Sequence, residues 1–206
     1  MTSAPAGTRL ENVPRETVGK LERFSALLKE ENSRQNLIAR STVDDIWERH
    51  VADSAQLLRF APADRAWVDV GSGAGLPGLV LAVMGVGSIV LVEPRRLRAE
   101  FLERCAEQLN LSNVEVVADK IDRVSARADV ITARAVAPLS KLLMMTHHLS
   151  HAGTSWVLPK GRSGEMELAE ARSSWQGRFR VEPSITDRDA VIIIASEVQP
   201  RRKGQA

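Results

Sequence analysis

Two hydrophobic periods divide the chain. Over residues 14–35 apolar side chains recur at helical spacing (Val18, Leu21, Phe24, Leu27 and Leu28), and Pro14 suits the first turn of such a helix. A second helix is expected to begin near Thr42, with Asp45 as its capping-box partner. It would carry Ile46, Trp47, His50, Val51, Ser54, Leu57 and Leu58 towards the core. From Ala66 the period changes. Short apolar runs at 67–70, 88–92, 114–117, 128–132 and 154–158 alternate with helical stretches at 76–84, 94–109 and 138–148. Such alternation implies crossover connections and a parallel sheet covered on both faces. A further helix is expected at 164–175, then strands at 179–185 and 190–196, so close in sequence that they must pair as an antiparallel hairpin. The pattern therefore predicts an α/β fold with a mostly parallel, seven-stranded sheet and an antiparallel hairpin at its C-terminal end. We expect one domain over 1–206: an N-terminal helical cap (1–65), the sheet-bearing core (66–198) and a basic tail (199–206).

Composition narrows the classes. A chain of 206 residues can bury one substantial core. The single cysteine, Cys105, cannot form an intramolecular disulfide and reads as a buried helical residue. The N-terminal segment lacks the apolar stretch of a signal peptide, and the longest apolar run is too short to span a bilayer. A cytoplasmic protein with no membrane partner is expected, a monomer by default. The chain has no Tyr, which argues against stacking platforms for single-stranded nucleic acid. The formal charge is only +2, yet Arg outnumbers Lys by 22 to 6. That bias suits an RNA partner, because Arg grips phosphate with two parallel hydrogen bonds; a GC-rich coding sequence produces the same bias. His147, His148 and His151 lack acidic or cysteine partners at ligand spacing, so no metal site is expected.

The first strand runs into Asp69-Val70-Gly71-Ser72-Gly73-Ala74-Gly75. A turn of this kind brings backbone close to a ligand. Dinucleotide sites prefer a later third glycine; here the third comes one position early and an acid, Asp69, stands two before the first. The pattern resembles motif I of S-adenosylmethionine-dependent methyltransferases, whose cofactor carries an ammonium rather than a diphosphate. Glu93 ends the second strand about 20 residues on, where a carboxylate accepts ribose hydroxyls; the alternative is a solvent-exposed charge. Beyond the third strand, Ile121 and Asp122 are candidates for adenine recognition. After the fourth strand the chain reads Ile131-Thr132-Ala133-Arg134-Ala135, with neither an Asn-Pro-Pro-Tyr nor a Pro-Cys element. A cation there suits a ring nitrogen such as guanine N7, which attacks without a general base and needs positioning above all. The alternative for Arg134 is an ion pair with an acid such as Asp129.

Several elements together carry a closer resemblance. They are Asn36-Leu37-Ile38, Arg49-His50-Val51-Ala52-Asp53-Ser54, the run from Val68 through Gly75 to Leu76-Pro77-Gly78, then Arg98 to Leu102, Ala133-Arg134-Ala135 and Leu158-Pro159-Lys160-Gly161. In these the chain resembles the bacterial small-subunit ribosomal RNA methyltransferase G family, also called glucose-inhibited division protein B. The resemblance implies a Rossmann-like class I methyltransferase fold, S-adenosylmethionine as cofactor, and 16S rRNA or the small ribosomal subunit as partner. The reaction it implies is methylation of guanine N7 in the decoding-region loop. It further implies that Gly71, Leu76, Ile121, Asp122 and Arg134 contact the cofactor, and that Lys120, Arg134, Lys160 and Arg188 supply basic groups at the active-site mouth, with Arg134, Lys160 and Arg188 catalytic. Lys120 stands where many members have Arg, and Pro159 interrupts a common Leu-Lys-Gly. Two other readings stand beside this one: a methyltransferase for a small molecule or protein, and a nucleoside-binding module without transfer. His50 is read either as facing the cofactor pocket or as packing.

Overall fold

The computed structural model describes residues 13–201, so Arg202 and Lys203 of the basic tail lie outside the described residues. The first helix, α1 (Arg15–Gln35), turns its buried Leu21, Phe24 and Leu28 inward and ends at Asn36 in the left-handed conformation. The second helical segment departs from expectation. Thr42 lies in a 3-10 turn (Arg40–Thr42), and its hydroxyl donates back to the Ala39 carbonyl instead of capping a helix with Asp45. A π-helical stretch (Trp47–Ala52) follows, then α2 (Asp53–Ala55) and a 3-10 turn (Gln56–Arg59). The Ser54 hydroxyl donates to the His50 carbonyl at 2.6 Å, satisfying an acceptor in this irregular turn.

Seven strands form one sheet in the order β3-β2-β1-β4-β5-β7-β6. They are β1 (Ala66–Val70), β2 (Ser88–Val92), β3 (Val114–Val117), β4 (Val130–Thr132), β5 (Ser155–Lys160), β6 (Trp175–Pro183) and β7 (Val191–Pro200). The first five are parallel; β7 runs antiparallel to both β5 and β6. Trp175, expected to end a helix, instead opens β6 opposite Pro200, because α6 (Gly164–Ala171) stops early and the hairpin reaches further than its apolar core.

Alternation along the strands sorts the core into two layers. Trp67, Ile89, Leu91 and Val130 join α1, α3 (Gly78–Val83) and α4 (Arg96–Gln108) on one face. Val68, Val70, Ile131, Trp156 and Leu158 join α5 (Leu139–Thr146) and α6 on the other. Helix α3 is buried all round and lies tight against the sheet at Gly78, where a Cβ would come within 2.3 Å of Leu91 and 2.6 Å of the Asp69 carboxylate. The N-terminal helices share this layer with the sheet. Strand order reverses between β1 and β4, and the crevice beyond their carboxyl ends is where such sheets bind ligands.

Candidate functional site

The turn after β1 is pinned to β2, since the Gly71 and Ser72 amides both donate to the Val92 carbonyl at 2.8 and 3.1 Å. Gly71, Gly73 and Gly75 all take left-handed φ values. At Gly71 space matters as well: a Cβ would sit 2.7 Å from Cγ2 of Val136, and Val136 is the wall between two cavities. Beneath the turn Asp69 is completely buried. Its Oδ2 accepts from the Gly78 amide at 3.1 Å, while Oδ1 has no partner among the described residues. Burial pushes this carboxyl up to about 7, against the pull of the Gly78 amide and the Arg134 charge. Glu93 is also buried, which excludes the solvent-exposed reading; its Oε2 accepts from the Gly73 amide and Oε1 from the Arg95 amide, both at 2.9 Å.

One cavity, of about 370 Å³, opens beside this turn between the ends of β1, β2 and β3. Gly71, Pro94, Lys120, Ile121, Asp122 and Val136 line it. Ile121 is buried at its floor on a 3-10 turn (Ile121–Arg123), and Nε2 of His148 donates to the carbonyls of Ile121 and Val124 at 3.1 Å each, holding that turn. Lys120 and Asp122 stand exposed at the rim.

The other cavity, of about 530 Å³, lies beyond β4. Distant segments build it: the π-helical stretch with Asp53 just after it, the loop after β4, the end of β5, Glu167 of α6 and the β6–β7 turn. Arg134 leaves β4 and is half-buried; its Nη1 reaches Nδ1 of His50 at 3.2 Å and Oδ2 of Asp53 at 3.4 Å. Asp53 in turn accepts at Oδ1 from Thr186 (2.7 Å) and Gln56 (2.9 Å). His50 is buried, and desolvation followed by the charges of Arg134 and Arg49 lowers its pKa to about 4, so the ring is neutral near neutral pH. Lys160 lines the same cavity with a nearly buried ammonium that donates to Oε2 of Glu167 (2.8 Å) and to the Ala137 carbonyl (2.9 Å).

The structure thus brings Arg134 and Lys160 to one cavity, and Gly71, Ile121, Asp122 and Lys120 to the other. Lys120 therefore does not share the mouth of the Arg134 cavity. Leu76 is buried in the core and lines neither cavity. Gly73 faces Glu93 and Arg98, and Gly75 packs on Leu79. Arg188 is exposed at the β6–β7 turn, between Asp187 (paired with Arg49) and Asp189 (paired with Arg162), and has no ion pair of its own among the described residues. Arg134 does not pair with Asp129, which accepts instead from the Ala66 amide and His151. Sequence reasoning passed over Asp53, Glu167 and Thr186. For Asp53 the signal was present, an acid three residues after His50 on one helical face. Cys105 is buried, its thiol pushed up to about 12 by desolvation. No helix among the described residues is long and apolar enough to cross a membrane.

The family model that matches the chain is described as rRNA small subunit methyltransferase G and covers residues 17–189. Ribosomal RNA small subunit methyltransferase G of Rhizorhabdus wittichii is 48% identical, the match covering 100% of this chain and 97% of that one. The protein of the same name from Zymomonas mobilis is 45% identical over 93% of this chain and 90% of its own. Among solved structures, a SAM dependent methyltransferase from Aquifex aeolicus shares the fold with a TM-score of 0.57 at 15% identity, covering 84% of this chain and 97% of that one. The sheet with its antiparallel C-terminal strands is the Rossmann-like fold of such enzymes.

Proposed function

The chain belongs to the rRNA small subunit methyltransferase G family, and from that premise we propose that it transfers the methyl group of S-adenosylmethionine to N7 of a guanine in the decoding-region loop of 16S rRNA. S-adenosylmethionine, when bound, supplies an electrophilic sulfonium methyl. The residues of the smaller cavity and the glycine turn fit that cofactor. Asp69 keeps a buried oxygen with no partner among the described residues, suited to an ammonium donor. Glu93 spends one lone pair of each oxygen on backbone amides and keeps acceptor capacity for ribose hydroxyls. Gly71 leaves room beside Val136, and Ile121 and Asp122 offer an apolar floor and a polar rim for adenine. Gly73, Gly75 and Leu76 shape the turn.

The observation that carries the reading is the state of Arg134. A guanidinium has five N–H donors. The two on Nη1 face His50 and Asp53, and the three on Nη2 and Nε have no partner among the described residues. Free donors beside this cavity suit guanine O6, an acceptor that arginine favours, and leave the N7 lone pair free to take the methyl. Among the described residues, every group lining this cavity that could act as a base is already engaged. His50 is neutral with both ring nitrogens engaged, and Asp53, Glu167 and Asp187 already accept hydrogen bonds. A nucleophile that carries no proton needs no base, so in-line positioning accounts for the chemistry, without a covalent intermediate. Lys160, locked between Glu167 and Ala137, is assigned to holding the loop after Arg134, while Arg188 and Lys120 are assigned to phosphates at the two rims.

The test is methyl transfer from labelled S-adenosylmethionine to unmodified small ribosomal subunits, followed by nucleoside analysis. Label as 7-methylguanosine at a single position is the expected result. Cofactor binding without label in RNA would move the substrate to another class.

A further inference from the structure

The π-helical stretch reaches the Arg134 guanidinium through His50, and the β6–β7 turn reaches it through Asp53. Arg134 cannot accept a hydrogen bond, so the His50 nitrogen facing its Nη1 must be the acceptor and the ring proton resides on Nε2. Nε2 stands 2.8 Å from the Thr42 hydroxyl, which passes its own proton to the Ala39 carbonyl at 2.9 Å. A single proton order therefore runs from Arg134 through His50 and Thr42 to the backbone. The second Nη1 hydrogen faces Asp53, whose other oxygen is held by Thr186 and Gln56; Gln56 in turn accepts from the Ile185 amide at 2.9 Å. A histidine with both nitrogens spoken for is not a base. We propose that His50 and Asp53 are positioning residues, a two-point clamp that takes up Nη1 of Arg134 and so sets the direction of its three remaining donors. This rests on the reading above that Arg134 contacts the methyl acceptor or donor. His50, in the π-helical stretch, and Asp53, at the start of α2, line the cavity together with Arg49.

Two substitutions separate clamping from packing. In His50→Asn the amide oxygen takes the place of Nδ1 and keeps the acceptor for Arg134. In His50→Gln the amide reaches the place of Nε2 and keeps only the Thr42 contact. We expect His50→Asn to hold kcat within about threefold of native, and His50→Gln to lose roughly tenfold or more in kcat with KM for S-adenosylmethionine unchanged, since misdirection by an ångström costs on that scale. Equal kcat for both variants, or losses that follow their melting temperatures, would overturn the clamp. A second readout needs no activity: the ¹⁵N spectrum of the native imidazole must show the Nε2–H form, and an Nδ1–H form sinks the proposal even if neither variant folds. Should native enzyme leave small subunits unmethylated, the functional reading fails while the ring tautomer still decides the clamp.

Discussion

The two cavities that meet at Val136 are made in different ways. The smaller one is backbone work: a glycine turn pinned to β2, a buried carboxylate at each of two strand ends, and a 3-10 turn held by His148. Each part follows a strand directly in sequence. The larger one is side-chain work, in which Arg134, Lys160 and Asp53 come from segments up to more than a hundred residues apart; Arg134 is held by Asp53, and Lys160 by Glu167 and the Ala137 carbonyl. A backbone-built site is fixed by local conformation and tolerates exchange of most side chains but not an added Cβ. A side-chain network loses its shape when one partner is removed, because the remaining groups stay buried and unpaired.

The largest expected effect tests the networked side. Arg134→Ala should lower kcat by roughly a thousandfold, the scale of removing a preorganised donor, with cofactor binding reduced far less; near-native turnover in a transfer assay would remove Arg134 from the reaction. On the backbone side the strongest effect is on pH and stability. Asp69 has its folded pKa raised from 3.8 to about 7, so the folded chain holds a proton that the unfolded chain has lost between those values. Stability linked to Asp69 is therefore present below about pH 4 and lost as pH rises through 7, by roughly 4 kcal/mol at most. Denaturation of native and Asp69→Asn protein at pH 5 and 8 should show the variant gaining relative to native at the higher pH; parallel pH profiles would contradict the buried-acid account.

A third measurement asks whether Lys160 touches substrate or only its neighbours. Lys160→Met leaves the half-buried Glu167 without its cation, though still bonded by Ser163 and the Leu139 amide, and should cost about 2 kcal/mol of stability. Adding Glu167→Gln should recover much of that loss together with activity, whereas a doubly substituted enzyme that folds and stays inactive would return Lys160 to the substrate. The smallest effect belongs to Gly71→Ala. The left-handed φ costs about 1–2 kcal/mol for a residue with Cβ, and the added methyl crowds Val136, so affinity for S-adenosylmethionine should fall about tenfold with kcat at saturation preserved. A kcat loss with unchanged affinity would mean that Gly71 serves the other cavity.

Most of the sheet was legible because each strand carries its own signal. The apolar runs at 88–92 and 114–117 match β2 and β3 residue for residue, and the short link at 186–189 marked the antiparallel pair. Boundaries drifted where pairing, not composition, decides the end: β6 starts at Trp175 because Pro200 lies opposite it. The second helix drifted for another reason. The sequence places Thr42 as a cap, yet its hydroxyl serves His50 and Ala39, a tertiary use that no local pattern encodes.

By itself, then, the sequence determined the order of strands and helices, the glycine turn with Asp69 before it and Glu93 beyond it, and the presence of a cation after β4. These follow from period and from backbone constraints that act over a few residues. Only the tertiary structure decided that Lys160 is locked by Glu167, that Lys120 lines the smaller cavity, that Arg188 has no ion pair among the described residues, and that Nη1 of Arg134 faces His50 and Asp53. Those outcomes depend on burial and on which side chains meet across the sheet. In a desolvated site each polar group must find a partner, and that partner is chosen by the fold as a whole.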